Sequence, residues 1–315
     1  MTSTSLAQLS NLAVYSAMLA LTIALISFAI GFAARGTRVS TTEPALVSVG
    51  SGAPVDDRPP AAPVTEEPGR RAGNLGMSVT WLAWALLLTG LVLRGLWAGR
   101  VPWGNMYEVS LASSVGILTI FLAVSIKRDV RWLGLFVTGA TLLTLGLAVT
   151  VLYTEAAQLV PALKSYWLAI HVTAAIIAGG AFTVAFGTTL LYLWRDRAER
   201  KGAVHGAVAK LPDAARLDTL SYRIIAFAFP VWTFAVIAGA IWAESAWGRY
   251  WGWDPKETWA FITWVIYAGY LHARATAGWR GRRAAIISLA GFAAFLINYF
   301  GVNLFASGLH SYSGL

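Results

Sequence analysis

The 315-residue chain contains no cysteine, only four methionines and four histidines, and little charge, with 12% of its residues Asp, Glu, Lys or Arg. The missing cysteines exclude disulfides, thiolate metal sites, cysteine nucleophiles and any CxxCH haem-attachment motif within the chain. The scarcity of charge stands against 57% hydrophobic residues and a mean hydropathy of +0.62. A soluble domain cannot hide that much apolar surface, whereas a polytopic membrane protein need not. A formal charge of +9 does not imply nucleic acid as a partner. Lys and Arg gather in short segments between apolar runs, as topology signals do.

What is present is a succession of apolar runs. The first covers about residues 11–34, is followed by Arg35 and Arg38, and has no Lys or Arg before it. A cleaved signal peptide has the opposite polarity, so residues 1–35 read as an uncleaved anchor with its N-terminus outside. Residues 36–76, rich in Pro, Gly, Ala, Ser and Thr, read as a flexible cytoplasmic linker because they cannot bury a core. Seven further runs follow, at about 78–97, 109–126, 132–153, 166–194, 223–246, 259–274 and 284–305. Each is roughly long enough to cross ~30 Å of hydrocarbon as helix, the run at 259–274 being the shortest. The expected fold is therefore an all-α polytopic membrane protein of about eight transmembrane helices. Alternate loops collect most of the Lys and Arg, and only Arg94, Arg100, Lys164, Arg249 and Lys256 lie on or near the other side. That asymmetry makes the first side cytoplasmic and places both termini outside. No internal repeat stands out in the sequence.

One outward-facing stretch is unusual: Trp247-Gly248-Arg249-Tyr250-Trp251-Gly252-Trp253-Asp254-Pro255-Lys256-Glu257-Thr258-Trp259. Indoles favour the membrane–water boundary, so an anchoring belt is one reading. A packed aromatic shelf that holds a flat, π-rich ligand is the other. Asp254-Pro255-Lys256-Glu257 is a capping box, with Asp at the N-cap, Pro at the first helical position and Glu at the third. It predicts the start of a helix. Arg249 and Lys256 suit carboxylates of a ligand or anionic lipid headgroups, and Arg94 either does the same or snorkels.

The histidines are placed by depth. His205 falls in the basic loop 195–222 and reads as solvated. His171 lies roughly 8 Å below the outer end of its run. His310 follows the last run and shares that outer level with the aromatic shelf. Two neutral imidazoles are a natural axial pair for haem iron, and tryptophan faces suit the macrocycle. His272 comes thirteen residues after Trp259, roughly 20 Å along the helix, and cannot reach the outer pair. If it ligates iron, its partner comes from another polypeptide. The plainer reading of any one of these is a histidine hydrogen-bonded to a neighbouring helix, although ionisable residues within membranes lean towards function.

The stretch 247–259 resembles the tryptophan-rich WWD signature of haem-handling proteins, and most resembles the CcsA/ResC family of system II cytochrome c biogenesis. Tyr166-Trp167-Leu168-x-x-His171-Val172, Tyr270-Leu271-His272-x-Arg274 and Gly308-Leu309-His310-Ser311-Tyr312 are similar to that family's three histidine segments, in its order. Pro102-Trp103-Gly104-Asn105-Met106-Tyr107-Glu108 is similar to its first outer loop. The resemblance covers about residues 78–315, and Tyr250 stands where other branches carry Trp. It implies a haem-handling membrane domain over 77–315, with haem b held at an outward site by His171 and His310. The implied cofactor-binding set further comprises Trp247, Arg249, Tyr250, Trp251, Trp253, Asp254 and Trp259. It implies that His272 shares a transmembrane haem with a histidine of a ResB/CcsB-like membrane subunit. The other implied partners are apocytochrome c with its CxxCH thiols and thiol-reducing proteins, and the implied host is a bacterial plasma membrane rather than a thylakoid. The chain is then one component of a cytochrome c haem lyase, active only with its partner subunit. The rival expectations are a system I-type haem delivery protein, a proton- or solute-coupled transporter using His171 and His272, and an electron-transfer cytochrome b.

Overall fold

The computed structural model describes residues 3–34, 69–155 and 165–310. Helices account for nearly all of them and, among the described residues, there is no strand. In chain order the helices are α1 (Ser3–Ala34), α2 (Arg70–Ala98), α3 (Met106–Lys127), α4 (Arg131–Thr150), α5 (Tyr166–Arg200), α6 (Ala214–Trp247), α7 (Pro255–Ala275) and α8 (Arg282–Leu296). A π turn, Ile297–Gly301, and a last helical turn, α9 (Val302–Phe305), continue α8 without a break. Seven helices are long and apolar enough to cross a membrane, as an integral multi-pass protein requires. α7 is not among them, since its ends carry Lys256, Glu257, His272 and Arg274, but it packs against both α6 and α8. The all-α expectation holds.

Of the expected linker, residues 36–68 lie outside the described residues. Its last segment is helix, because α2 begins at Arg70, behind Gly69 in the left-handed conformation (φ 83°). Gly73, Gly76 and Thr80 give this early part of α2 a buried, small-residue face, which packs where a linker would hang free. α1 is likewise more than an anchor. Its buried face of Ser10, Ala13, Ala17, Ala20 and Ala24 lets α2 and α4 approach closely. The Ser10 hydroxyl donates to the Gly90 carbonyl at 2.8 Å, and the Phe28 ring is clasped between Gly76 of α2 and Gly134 of α4.

The interior divides into two main clusters. One joins α1–α4 through residues such as Leu21, Leu87, Leu111, Phe121 and Leu145. The other joins α5–α8 through Phe182, Trp232, Tyr267, Tyr270 and Phe292, with Phe182 stacked on Tyr267 at 4.0 Å. Gly180 of α5 meets the backbone of α3 at Gly116 and Ile117, which ties the two halves together. A third, smaller cluster of Trp167, Leu168, Val172, Trp242, Ala246 and Trp247 sits where the start of α5 meets the end of α6. The functional residues gather there.

Candidate functional site

A cavity of about 390 Å³ opens among α3, α5, α6, α7 and α8, within the ~300–1,000 Å³ range of small-molecule sites. Its walls are overwhelmingly apolar. His171, His310, Trp247, Tyr250 and Trp251 all line it, as do Trp103 and Trp242. The structure thus brings together His171, His310 and three of the five aromatics of the expected shelf.

His171 projects from the second turn of α5 towards α6. Its Nδ1 lies 2.7 Å from the Ala235 carbonyl oxygen, and its ring stacks on Trp242 at 6.1 Å and 10°. A carbonyl can only accept, so Nδ1 carries the proton and Nε2 keeps a lone pair in the neutral ring. Gly239 makes the seat possible. A Cβ there would come within 2.7 Å of the ring, too close for any L side chain without displacement.

His310 arrives from the opposite end of the chain. Its Nδ1 lies 2.8 Å from Asp254 Oδ1, and its ring meets Trp247 edge-on at 4.9 Å and Trp242 at 5.7 Å. Burial, with the Lys256 charge acting in the same direction, pushes His310 down to about 4 despite the opposing pull of Asp254. Burial alone would raise the Asp254 carboxyl; the Leu309 N–H and the His310 ring outweigh it and hold that carboxyl below the ordinary aspartate value. At neutral pH the pair is therefore a carboxylate accepting from a neutral imidazole. Nδ1 again carries the proton, the arrangement by which a carboxylate orients a metal-ligating histidine.

The capping box forms as the sequence predicts. The Asp254 side chain accepts from the Lys256 N–H at 3.1 Å, and Glu257 Oε2 accepts from the Asp254 N–H at 3.0 Å and the Gly252 N–H at 2.8 Å. Arg249 is drawn into this cap, donating to Glu257 at 3.1 Å, with its guanidinium lying against Gly252 where a Cβ would collide. Arg249 does not line the cavity. Trp253 also faces away, 64% exposed, packed edge-on against Trp251 and Phe261, with φ of 58° in the left-handed region that a bulky side chain rarely adopts. Hydrogen bonds to Glu257 on both sides of Trp253 hold that strained residue. Trp259, on the first turn of α7, does not line the cavity either. Asp254 reaches the site only through His310.

His272 stands apart. It lies near the far end of α7, outside the cavity lining, two residues before Arg274, which pairs with Asp218 at 2.8 and 3.0 Å. The depth argument separated it from the other two histidines, and it is separate here.

The donor set can be tested against the implied haem. Among the described residues no group of three or more His, Asp and Glu side chains is arranged to hold a bare ion. Two imidazoles at one apolar cavity, each oriented through its Nδ1, suit iron that comes already held in a porphyrin. Asn298 Oδ1 is buried at the same cavity with no hydrogen-bond partner among the described residues. The residues present fit the group.

Trp242, Gly239 and the Ala235 carbonyl were not singled out in the sequence. Trp242 lies five residues before the tryptophan-rich stretch, inside an apolar helix, where it reads as core. Only the ring contacts to both histidines reveal its position.

Known proteins share this chain's pattern. Residues 103–310 match the family described as Cytochrome C assembly protein. The chain is 35% identical over 300 residues to the cytochrome c biogenesis protein CcsA of Picosynechococcus sp., with 76% of this chain and 87% of that protein covered. It is 38% identical over 259 residues to CcsA of Guillardia theta (76% and 86% covered) and 36% identical over 284 residues to CcsA of Hordeum vulgare (77% and 86% covered). Among solved structures, the cytochrome c haem lyase CcmF superposes with a TM-score of 0.62 at 16% identity, covering 95% of this chain and 47% of CcmF. That likeness concerns the fold alone.

Proposed function

The chain belongs to the cytochrome c assembly protein family, and from that premise we propose that it is the haem-presenting subunit of a system II cytochrome c synthase. In this reading it brings haem b to the outer membrane face and holds it for attachment to the CxxCH thiols of apocytochrome c. One observation carries the reading: His171 and His310, 139 positions apart in the sequence, line the same cavity, each with its Nδ1 held by a fixed partner, the Ala235 carbonyl for one and Asp254 for the other.

The chain's own residues supply binding, orientation and exclusion of water. Ala235 and Asp254 fix the tautomers of His171 and His310, the two histidines that would hold the iron. Trp242, Trp247, Tyr250 and Trp251 offer flat apolar contact to the macrocycle. When bound, the haem supplies the vinyl groups to which cysteine sulfur and hydrogen add across each double bond. The absence of cysteine in this chain fits thiols contributed by the substrate.

His272 fits a second role with a ResB/CcsB-like membrane subunit. It is remote from the cavity, and a haem there would take its other axial ligand from that subunit. Thiol-reducing proteins complete the proposed assembly, seated in a bacterial plasma membrane with both chain termini outside. Haem-lyase activity belongs to that assembly rather than to this chain alone. A solute-coupled transporter finds less support, since the cavity wall is apolar and His171 and His272 are not brought together.

The test is spectroscopic. The full chain purified with its partner subunit is expected to show a bis-histidine haem spectrum. His171→Ala or His310→Ala should each lower haem retention and abolish cytochrome c maturation. Normal maturation in both variants would remove the assignment.

A further inference from the structure

Lys256 holds the second position of α7, directly after Pro255, and its side chain lines the cavity. Burial pushes its amine down to about 7 against the opposing pull of Asp254, and among the described residues it forms no side-chain hydrogen bond or ion pair. Both neighbouring carboxylates are already engaged. Asp254 accepts from the Leu309 N–H, the His310 ring and the Lys256 N–H. Glu257 accepts from Arg249, the Gly252 N–H and the Asp254 N–H. Arg249, the other cation of the segment, is thus paired and does not line the cavity. Among the described residues, Lys256 is left as a basic group without a counter-ion in an apolar wall, a placement that costs free energy until an anion joins it.

Lys256, His171 and His310 line the same cavity. The imidazoles are neutral donors and leave the carboxylates of an iron porphyrin without a partner. We propose that the Lys256 ammonium binds a propionate of the porphyrin seated between His171 and His310, and so selects porphyrins with free carboxylates and fixes which edge of the ring lies toward the start of α7. This rests on the haem reading above.

The experiment titrates the full chain, with its partner subunit, with ferric haem and with its propionate dimethyl ester. Soret spectra follow binding to the native protein and to the Lys256→Met and Lys256→Arg variants. The native site is expected to bind haem at least about tenfold more tightly than the ester, the scale of a charge-assisted hydrogen bond. Lys256→Met should lose that preference while binding the ester as before, which also demonstrates an intact site, and Lys256→Arg should keep most of it. Equal loss of haem and ester in Lys256→Met, or no change in either, overturns the assignment to Lys256 alone. A native protein that gives a bis-histidine spectrum with neither porphyrin overturns the haem reading itself.

Discussion

Two turns of this molecule are built on one plan and put to different use. Residues 99–105 lead from α2 into α3, and residues 248–254 lead from α6 into α7. Each turn begins at a glycine in the left-handed conformation, Gly99 (φ 63°) or Gly248 (φ 70°). Each follows with an arginine, Arg100 or Arg249, eight positions ahead of a glutamate at the third helical position, Glu108 or Glu257. In both, the arginine donates to the glutamate, a glycine N–H (Gly104 or Gly252) donates to the same carboxylate at 2.8 Å, and an Asn or Asp caps the helix. Both turns also contribute tryptophan to the cavity wall, Trp103 from one and Trp251 from the other.

The differences are instructive. Glu108 is shared by two arginines, and both Glu108 and Arg94 are wholly buried; Arg94 also donates to the Thr154 carbonyl and lies over Trp97 at 4.7 Å. That turn is closed upon itself. The second turn has a single, partly exposed arginine, leaves Lys256 facing the cavity, and caps with Asp254 where the first has Asn105. An asparagine offers one acceptor oxygen; an aspartate offers two. Asp254 can therefore cap its helix and still grip both the backbone and the ring at Leu309 and His310. The cap of one helix is at the same time the mount of His310.

Three experiments probe that contrast, and the largest effect belongs to the closed turn. Glu108→Ala leaves Arg94 buried without its counter-ion and should cost about 3–5 kcal/mol. Glu257→Ala, whose arginine reaches solvent, should cost only about 1–2 kcal/mol, mostly through the lost cap. Thermal unfolding of both variants in detergent checks the order, and equal losses would erase the distinction. Asp254→Asn comes next. It keeps a capping oxygen but loses the second acceptor, so haem retention should fall about tenfold or more while helix content is unchanged. Asn105→Asp, the reverse exchange in the closed turn, should leave haem retention alone. The smallest effect is expected from acid. His310 is held down to about 4, so it stays unprotonated as pH falls from 7 to 5 and competes for its own lone pair only near 4. Haem absorbance followed through that range should stay flat above pH 5; loss centred near the ordinary histidine value of ~6.5 would contradict the buried pair.

Much of this was legible in the sequence. Hydropathy located the helices, and the cap Asp254-Pro255-Lys256-Glu257 gave the start of α7 to the residue. Depth alone separated His272 from His171 and His310. The likeness of the two turns was hidden because their Trp-Gly pairs, 103–104 and 251–252, are offset by one position relative to the shared arginine and glutamate. Residues 306–310 carry no periodicity, so nothing announced that Gly308 would pass close against Asp254. The shelf was read as one surface, whereas Trp253 and Trp259 turn away from the cavity. Composition also extended the linker to 76, because glycines that ease helix packing look the same as glycines that loosen a chain.

The π turn at Ile297–Gly301 has a further consequence. A wider turn admits one surplus residue without shifting the helix on either side. The half of α8 that packs on α5 and α7 can therefore keep its grip while the portion bearing Asn298 and Tyr299 is re-aimed at the chamber.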